Sequence, residues 1–388
     1  FFENAGGSYV PNTVIERLNN FMIRTKVQPY ADFESSKIAG EQMDEGVKLF
    51  AEMINADFKE IIMSGSTTMN MYVLSKALSN IIKSGDEIIC TNQDHEANIG
   101  GWRKLSERGV IIKEWRIDEK TAELEINDLK NLLTSKTKLV AVTHTSNIVG
   151  SNNDIKKIAE IVHNNNSLIV ADGVSYAPHG FPDVKDLDVD FYSFSTYKTF
   201  GPHLGLLYGK YEILKSLPNQ NHEFVKDEIP NITLNPGGPN HEETACLIGV
   251  SEYFDKLYTH HFSDIETNHR QRIVKINHLI SQHEEKLTNM LLDFLNTKKN
   301  IRIIGKKNSH NKNRAPTISF TVHEKSSKNV CDDLVNNNIG IRNGNFYAWR
   351  VLKALNIDQE DGVIRASMVH YNSESEVKSL INTLDKIL

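Results

Sequence analysis

The sequence predicts an α/β protein with a mostly parallel sheet in a large domain and a second, smaller α+β domain. The chain has 388 residues, and single hydrophobic cores stop growing at about 250 to 300 residues, so two domains are expected. Residues 138–210 contain three short runs, LVAVTHTS, LIVA and FYSFSTY. These runs are largely apolar without clean alternation, which is typical of strands buried on both faces of a parallel sheet.

A polar residue follows each of these runs. Asn147 comes after the first run, Asp172 after the second and Lys198 after the third. Ligands of open parallel sheets bind beyond the carboxyl ends of the strands. We therefore expect these three side chains to share one crevice.

The other elements of the large domain are predicted from local patterns. PNTVIERLNNFMI reads as a helix because Pro11 and an asparagine stand near its start, and AGEQMDEGVKLFAEMIN has apolar residues at helical spacing. EIIM, DEIIC and VIIKEWRID predict strands. From about Ser216 the polar run SLPNQNHEFVKDEIPNITLNPGGPNHEE predicts a long surface loop, followed by a long helical region from Glu242 to Asn296.

The last part of the chain predicts the smaller domain. Four runs read as strands: IRIIG, APTISFTVH, IGIRNG and VIRASMVHYN. Two runs read as helices, SSKNVCDDLVNNN and SESEVKSLINTLDKIL, and the second is capped by Ser373 or Ser375. We place the large domain at residues 12–255 and the smaller one at 256–388. Residues 1–11 are candidates for packing on the smaller domain.

Composition limits the classes of function. Hydrophobic residues make up 39% and charged residues 24%, as in ordinary globular proteins, and the net charge of -6 with a pI near 6.2 gives no support for nucleic-acid binding. The sequence predicts no membrane span, signal peptide or metal site. Three dispersed cysteines without CxxC spacing fit a reducing compartment, so a cytoplasmic location is expected.

Lys198 is the strongest candidate for chemistry. It lies between the aromatic run FYSFSTY and the turn-forming TFGPHLG, and a lysine held in a partly dry pocket can form a Schiff base with an aldehyde. A nearby aspartate such as Asp172 could keep a pyridinium nitrogen protonated. The ordinary alternatives are a solvated surface lysine and an aspartate that caps a helix or an Asp-Gly turn.

A phosphate-binding loop and a histidine are further candidates. The loop from Ser64 to Thr68 precedes a helix, so its hydroxyls and free N–H groups can bind an anion, although such a cluster is more often a simple N-cap. His95 follows a strand in the text DHEAN. A lone histidine is more often structural, but one in this position can carry protons near neutral pH.

The text ADGVS…DFYSFSTYKTFGPHLGLLYGK resembles the class V aminotransferase family of pyridoxal 5'-phosphate (PLP) enzymes, in particular the cysteine desulfurase and selenocysteine lyase branch. DHEAN and RASMVHYN resemble further motifs of that family. The resemblance implies a fold type I PLP-dependent transferase, with a seven-stranded sheet in the large domain and a small C-terminal α+β domain. It also implies PLP as cofactor and an amino acid as substrate.

The resemblance also implies roles for individual residues. Lys198 would bind the cofactor aldehyde and later move the substrate α-proton, Asp172 would face the ring nitrogen, and His95 would lie on the ring. The cofactor's phenolic oxygen would meet Ser175, a serine where the desulfurases usually carry glutamine. Its phosphate would be held by Ser66, Thr67, Ser195 and Tyr197. The substrate carboxylate would be held by Asn147 and Arg365, the arginine through a planar fork.

Two departures from the family concern the reaction and the partner subunit. Tyr347 stands where the desulfurases carry their loop cysteine, and none of the three cysteines, Cys90, Cys246 and Cys331, lies in that loop. The family's partner-subunit loop reads Gly237-Gly238-Pro239-Asn240 here and lacks the usual threonine, yet a homodimer is still implied.

Three hypotheses of function follow. The first is a lyase that acts on a sulfur- or selenium-bearing amino acid without a loop cysteine. The second is an aminotransferase or an epimerase of the same fold. The third is a PLP-binding scaffold that has lost turnover, against which the presence of Lys198, Asp172, His95 and Arg365 argues.

Overall fold

A seven-stranded sheet lies at the centre of the first half of the chain. The computed structural model describes residues 1–225, 230–310 and 312–388. The strands of this sheet are β1 (Ile61–Ser64), β2 (Glu87–Thr91), β3 (Ile111–Trp115), β4 (Thr137–Thr143), β5 (Leu168–Asp172), β6 (Phe191–Ser195) and β7 (Gly205–Gly209). Their order is β1-β7-β6-β5-β4-β2-β3, and β7 alone runs antiparallel to its neighbours in this sheet of described strands. The predicted mostly parallel sheet is confirmed.

Both faces of this sheet are covered. Along β4, Val140 and Val142 belong to a core on one face, whereas Leu139 and Ala141 belong to a core on the other. Successive side chains of a strand point to opposite faces, so a strand buried on both faces needs apolar residues at every position. This explains why the strand runs do not alternate between apolar and polar residues.

Helices flank the sheet and connect its strands. They are α1 (Asn12–Arg24), α2 (Glu34–Met53), α3 (Thr67–Leu78), α4 (Glu96–Lys104), α5 (Ile126–Leu132), α6 (Ile155–Asn164), α7 (Val184–Leu187), α8 (Tyr211–Ser216), α9 (Pro230–Thr233), α10 (His241–Cys246) and α11 (Ile248–His261). The predicted start of the first helix is confirmed, because Pro11 is the N-cap of α1. Of the helices in the described ranges, none is both long and apolar enough to cross a bilayer.

The structure corrects one expectation for the middle of the chain and refines another. The predicted surface loop after Ser216 contains the short helix α9 and the buried residues Leu234 and Asn235, and its residues 226–229 lie outside the described part of the chain. The predicted long helical region from Glu242 to Asn296 is helical but interrupted: α11 ends before Phe262, whose backbone is extended, and a new helix begins after the N-cap Asn268. Residue patterns of polar helices do not mark such a break.

A second, antiparallel sheet lies in the last third of the chain. Its strands are β8 (Ile301–Ile304), β9 (Thr317–Val322), β10 (Arg342–Gly344) and β11 (Val363–Ser367), in the order β10-β11-β9-β8. The accompanying helices are α12 (His269–Thr297), α13 (Ser327–Asn336), α14 (Trp349–Ala354) and α15 (Glu374–Ile387). Ser373 caps α15 in a capping box with Glu376, as predicted.

One helix connects the two cores. Ile273 and Ile280 of α12 belong to a core of the large sheet, whereas Leu287 and Leu295 belong to the core of the small sheet. Phe2 is also buried in the core of the small sheet. The domain bounds of 12–255 and 256–388 stay a prediction.

Candidate active site

Side chains that follow four parallel strands meet at one edge of the large sheet. Asn147 follows β4, Asp172 ends β5, His95 follows β2 and Lys198 follows β6. All four line one cleft of about 480 Å³. The crevice expected from the strand ends is therefore present.

Lys198 is buried at the bottom of this cleft. Its residue is 7% exposed, and it ends a short 3₁₀ turn in which the Thr196 carbonyl accepts hydrogen bonds from the N–H groups of Thr199 and Gly201 at 2.8 and 2.9 Å. Burial, with repulsion from Arg365, lowers the pKa of Lys198 to about 8, although Asp172 opposes the shift. A neutral amine is therefore accessible near physiological pH.

Asp172 is a buried carboxylate at the same edge. Its Oδ1 accepts a hydrogen bond from the N–H of Val174 at 2.8 Å, and its carbonyl accepts one from the N–H of His144 at 2.7 Å. Burial raises the pKa of Asp172 to about 6, while the Val174 N–H and Lys198 oppose this shift. The carboxylate is charged at pH 7 but would be stabilised by a nearby cation.

His95 is the N-cap of α4. Its Nδ1 accepts a hydrogen bond from the N–H of Ala97 at 3.0 Å. Burial, together with the positive charges of Lys198 and Arg365, lowers the pKa of His95 to about 3. The ring is therefore neutral and carries its proton on Nε2, where it can act as a hydrogen-bond donor.

Hydroxyl groups collect at the N-terminus of α3. Ser66 is its N-cap, and Ser66 Oγ accepts a hydrogen bond from the N–H of Met69 at 3.1 Å. Thr67 Oγ1 and Ser195 Oγ lie 2.8 Å apart. Gly205 allows β7 to approach this turn, because a Cβ at that position would lie 2.2 Å from the carbonyl carbon of Ser66. This end of the cleft combines hydroxyls with a helix N-terminus, which favours an anion.

Two further residues with predicted roles, Tyr197 and Ser175, line the cleft. Tyr197 stacks on His203 with ring centroids 4.5 Å apart and planes 2° from parallel. His203 was not predicted, and its place two residues after Gly201 in the turn TFGPHLG is the only sequence signal for it.

Arg365 lies in a second cleft of about 460 Å³ that adjoins the first. The residue is 2% exposed, and its guanidinium carbon lies 3.6 Å from the ring centroid of Phe346. Its Nη1 donates a hydrogen bond to the carbonyl of Asn147 at 3.2 Å, and its Nη2 donates one to Oε1 of Glu3 at 2.9 Å. The Asn147 side chain donates to the carbonyl of Phe346 at 2.8 Å. Asn147 and Arg365 are therefore brought together, as predicted.

Comparison with known proteins decides the family. The model of the family described as "Aminotransferase class-V" matches residues 1–235 and 269–380. The chain belongs to the class V aminotransferase family. It is therefore a PLP-dependent enzyme of the cysteine desulfurase-like kind, as the sequence predicted.

Curated relatives are similar to the whole chain, and a solved structure has the same fold. "Aminotransferase-like protein FGM3" of Gibberella zeae is 37% identical over all of this chain and 94% of its own length. "Cysteine desulfurase-like protein ustD" of Aspergillus flavus is 33% identical over all of this chain and 87% of its own length. The structure of a cysteine desulfurase from Thermococcus onnurineus NA1 aligns with a TM-score of 0.88 at 24% identity, covering 100% of this chain and 94% of that one.

This class V aminotransferase family member has no cysteine in either cleft, within the part of the chain that the structure describes. Cys90, Cys246 and Cys331 are all buried elsewhere. Tyr347 occupies the cleft entrance instead, with 72% of its surface exposed and its ring 5.3 Å from the ring of His95. None of the three thiols is therefore placed to accept sulfur from a ligand in these clefts.

Proposed function

We propose that this enzyme holds PLP through Lys198 and cleaves a carbon–sulfur or carbon–selenium bond of an amino acid without an enzyme thiol. The observation that carries this proposal is the buried pair of Lys198 and Asp172 in a cleft that no cysteine of the described chain lines. A related thiol-dependent enzyme would need a thiolate within reach of the departing sulfur.

The cleft fits PLP at three chemically different points. Lys198 provides an amine whose pKa of about 8 leaves a neutral fraction for reaction with an aldehyde. Asp172 provides a buried carboxylate that a protonated ring nitrogen would neutralise. The phosphate would be held at the N-terminus of α3 by Ser66, Thr67 and Ser195, with Tyr197 and His203 beside it.

Each residue around the substrate has a separate role in the proposed reaction. Bound PLP supplies an electron sink for negative charge at the carbon next to the substrate amino group. Lys198 Nζ, when neutral, accepts a proton at that carbon and returns it. His95 is a neutral ring whose Nε2–H is available to donate a hydrogen bond. Arg365 binds the substrate α-carboxylate and, with the Asn147 amide, fixes the orientation of the amino acid.

Cysteine sulfinate is the substrate that best fits a cleft without a thiol. Its cleavage to alanine and sulfur dioxide balances in atoms and electrons, because the carbon–sulfur bond breaks, the sulfur leaves already oxidised and a proton replaces it on carbon. Removal of sulfur from cysteine to give alanine instead requires a thiol or another acceptor for the sulfur atom. The proposed enzyme therefore needs no persulfide on its own chain.

An aminotransferase or epimerase is the second candidate. The name of the 37% identical relative, "Aminotransferase-like protein FGM3", favours it. A scaffold that binds PLP without turnover is the third. Lys198, Asp172 and His95 are buried, and each has a shifted pKa. Such shifts cluster at functional sites, which argues against the scaffold.

We further propose a homodimer in which the loop Gly237-Gly238-Pro239-Asn240 lies near the partner's cofactor. Gly237 and Gly238 have φ angles of +84° and +77°, and a Cβ on either would have no neighbour within 4 Å. Such an open loop has room for a partner subunit. Domains at 12–255 and 256–388 and a cytoplasmic location are likewise proposals, the last resting on the three dispersed thiols.

The test is a spectrum followed by a substrate screen. Purified protein supplied with PLP should absorb as a bound aldehyde, and Lys198→Ala should abolish that band. L-cysteine sulfinate should yield alanine and sulfite without added thiol or 2-oxoacid. Colour that bleaches with an amino acid and returns only with a 2-oxoacid would instead indicate the aminotransferase, and no response to any amino acid would indicate the scaffold.

A further inference from the structure

The arginine of the second cleft already holds a carboxylate of this chain. Arg365 Nη2 donates a hydrogen bond to Glu3 Oε1 at 2.9 Å. Glu3 comes from the N-terminal segment, is itself 9% exposed, and lines the same cleft as Lys198. A buried guanidinium without a counter-charge is costly, so Glu3 stabilises Arg365 when no ligand carboxylate is present.

This carboxylate lies between two arginines. Arg342 on β10 pairs directly with Arg365 on β11 in the strand register. Arg342 Nη1 lies 3.9 Å from Glu3 Oε1, whereas Arg365 Nη2 lies 2.9 Å from the same oxygen. The side chain of Arg342 is 69% exposed. Glu3 therefore has a second, solvated guanidinium within reach of a side-chain rotation.

Two buried atoms of the pair lack partners. Glu3 Oε2 and Arg365 Nε have no hydrogen-bond partner among the described residues. The N–H groups of a guanidinium point outward in its plane, so a ligand carboxylate must approach Arg365 in that plane, and the ring of Phe346 covers a face of the group. Glu3 already occupies part of that plane at Nη2.

The backbone of Glu3 is held against β11. Its backbone forms a bridge with Ser367, and the N–H of Ala5 donates to Ser367 Oγ at 2.8 Å. Gly6 leaves room for the carboxylate, because a Cβ at that position would lie 2.6 Å from Glu3 Oε1. With the backbone held, an exchange of partners takes place through rotation of the Glu3 side chain.

We propose that Glu3 is an internal carboxylate that occupies Arg365 until a substrate carboxylate displaces it toward Arg342. Glu3 thus determines how tightly the cleft binds a carboxylate, as a specificity-determining residue beyond the predicted pair of Asn147 and Arg365. The proposal rests on the proposed role of Arg365 as the carboxylate site. It assigns Arg342 as the residue that receives Glu3 when substrate is bound.

The test is a double-mutant cycle with propionate as probe, because this carboxylate has no amino group and is not turned over. The thermal stabilisation of the holoenzyme by propionate gives its affinity, with propionamide and matched sodium chloride as blanks. Glu3→Gln keeps the hydrogen-bond acceptor but removes the charge, and it should tighten propionate binding by about three- to tenfold. Arg342→Gln should weaken binding by a similar factor, since Glu3 then stays on Arg365.

The pair of variants decides between exchange and simple attraction. In the Glu3→Gln background, Arg342→Gln should change affinity by less than about twofold. An equal loss in both backgrounds, or Glu3→Gln binding no tighter than wild type, overturns the proposal. Glu87→Gln is the matched control, because Glu87 is also buried and lies 2.8 Å from a cation, Lys113 Nζ. Glu87 lies at the amino end of β2, so this variant should bind propionate as tightly as wild type.

The exchange of Glu3 and the proposed reaction are tested by different measurements. Glu3, Arg342 and Arg365 belong to the chain, and propionate binding is read from protein unfolding. Saturable propionate binding that follows the cycle supports the exchange even if no amino acid is cleaved. Absence of saturable binding overturns the exchange, whereas the PLP absorbance and the cysteine sulfinate assay test the function separately.

Discussion

Lys198, the proposed nucleophile, lies in a position that disfavours its charge. Its pKa of about 8 results first from burial and second from Arg365. The neutral fraction of such an amine rises about tenfold between pH 6 and pH 7 and levels off above about pH 9. We expect the rate at which apoprotein takes up PLP to follow this curve, measured from the growth of the bound absorbance after rapid mixing.

Asp172 provides the control for that pH dependence. Its charge raises the pKa of Lys198, so Asp172→Asn should move the midpoint of the curve to lower pH while also weakening PLP binding. A rate that does not change between pH 6 and pH 8 in the wild type would contradict the assignment of Lys198. A midpoint unmoved in the variant would show that Asp172 and Lys198 do not interact.

The three thiols should be inert in the native enzyme. Cys90, Cys246 and Cys331 are buried, and burial raises the pKa of each to about 12, so almost no thiolate is present at pH 8. An aromatic disulfide reagent should titrate no thiol in the folded holoenzyme and three after denaturation. Alkylation of the folded enzyme should leave sulfite release unchanged, and loss of activity on alkylation would restore the thiol-dependent mechanism.

At the scale of elements, the contact between β7 and the start of α3 shapes the phosphate end of the cleft. A Cβ on Gly205 would lie 2.2 Å from the carbonyl carbon of Ser66 and 2.3 Å from the backbone nitrogen of Thr67. Gly205→Ala should therefore destabilise the apoprotein by roughly 1–3 kcal/mol and weaken PLP binding. Urea unfolding and PLP titration measure the two effects.

Gly65 provides the matched comparison in the same turn. A Cβ on Gly65 would have no neighbour within 4 Å, so Gly65→Ala should leave the unfolding free energy of the apoprotein within about 0.5 kcal/mol of wild type. Equal destabilisation by both substitutions would mean that the turn tolerates no side chain at all, and that the strand–helix contact is not the reason.

Sequence patterns predicted the strands better than the long polar helices. The runs before Asn147 and Asp172 are largely apolar without alternation, which is typical of strands buried on both faces, and the side chains that follow share the cleft as expected. The break between α11 and α12 was missed because residues 262–268 contain no proline or glycine. His203 was missed because a histidine in a turn carries no pattern until the chain folds back onto Tyr197.

For the whole molecule, the side chains of the proposed site come from both sheets. Lys198 follows a strand of the large sheet and Arg365 lies within the small one, yet Arg365 lowers the pKa of Lys198. The pair of Glu3 and Arg365 joins residues 362 positions apart. No local periodicity reports such a contact, so the resemblance could name Arg365 but nothing in the sequence could name Glu3 as its partner.

The proposed dimer can be tested by hybrid complementation. If the partner's loop completes each cleft, Gly238→Asp should lower PLP affinity in the neighbouring subunit, because its carboxylate would repel the phosphate. Gly85→Asp is the matched control: Gly85 has a φ of +86° and an equally open surrounding, but lies before β2. It should match Gly238→Asp in stability while retaining PLP affinity.

Mixing subunits then places the two defects in different chains. At limiting PLP, Lys198→Ala and Gly238→Asp should each be inactive, but a hybrid dimer would contain one cleft with an intact lysine and an intact partner loop. Unfolding and refolding an equimolar mixture should therefore restore about a quarter of the wild-type activity per chain. A mixture as inactive as its components would place the loop in its own subunit's cleft or in neither, and a monomeric mass by light scattering would remove the dimer altogether.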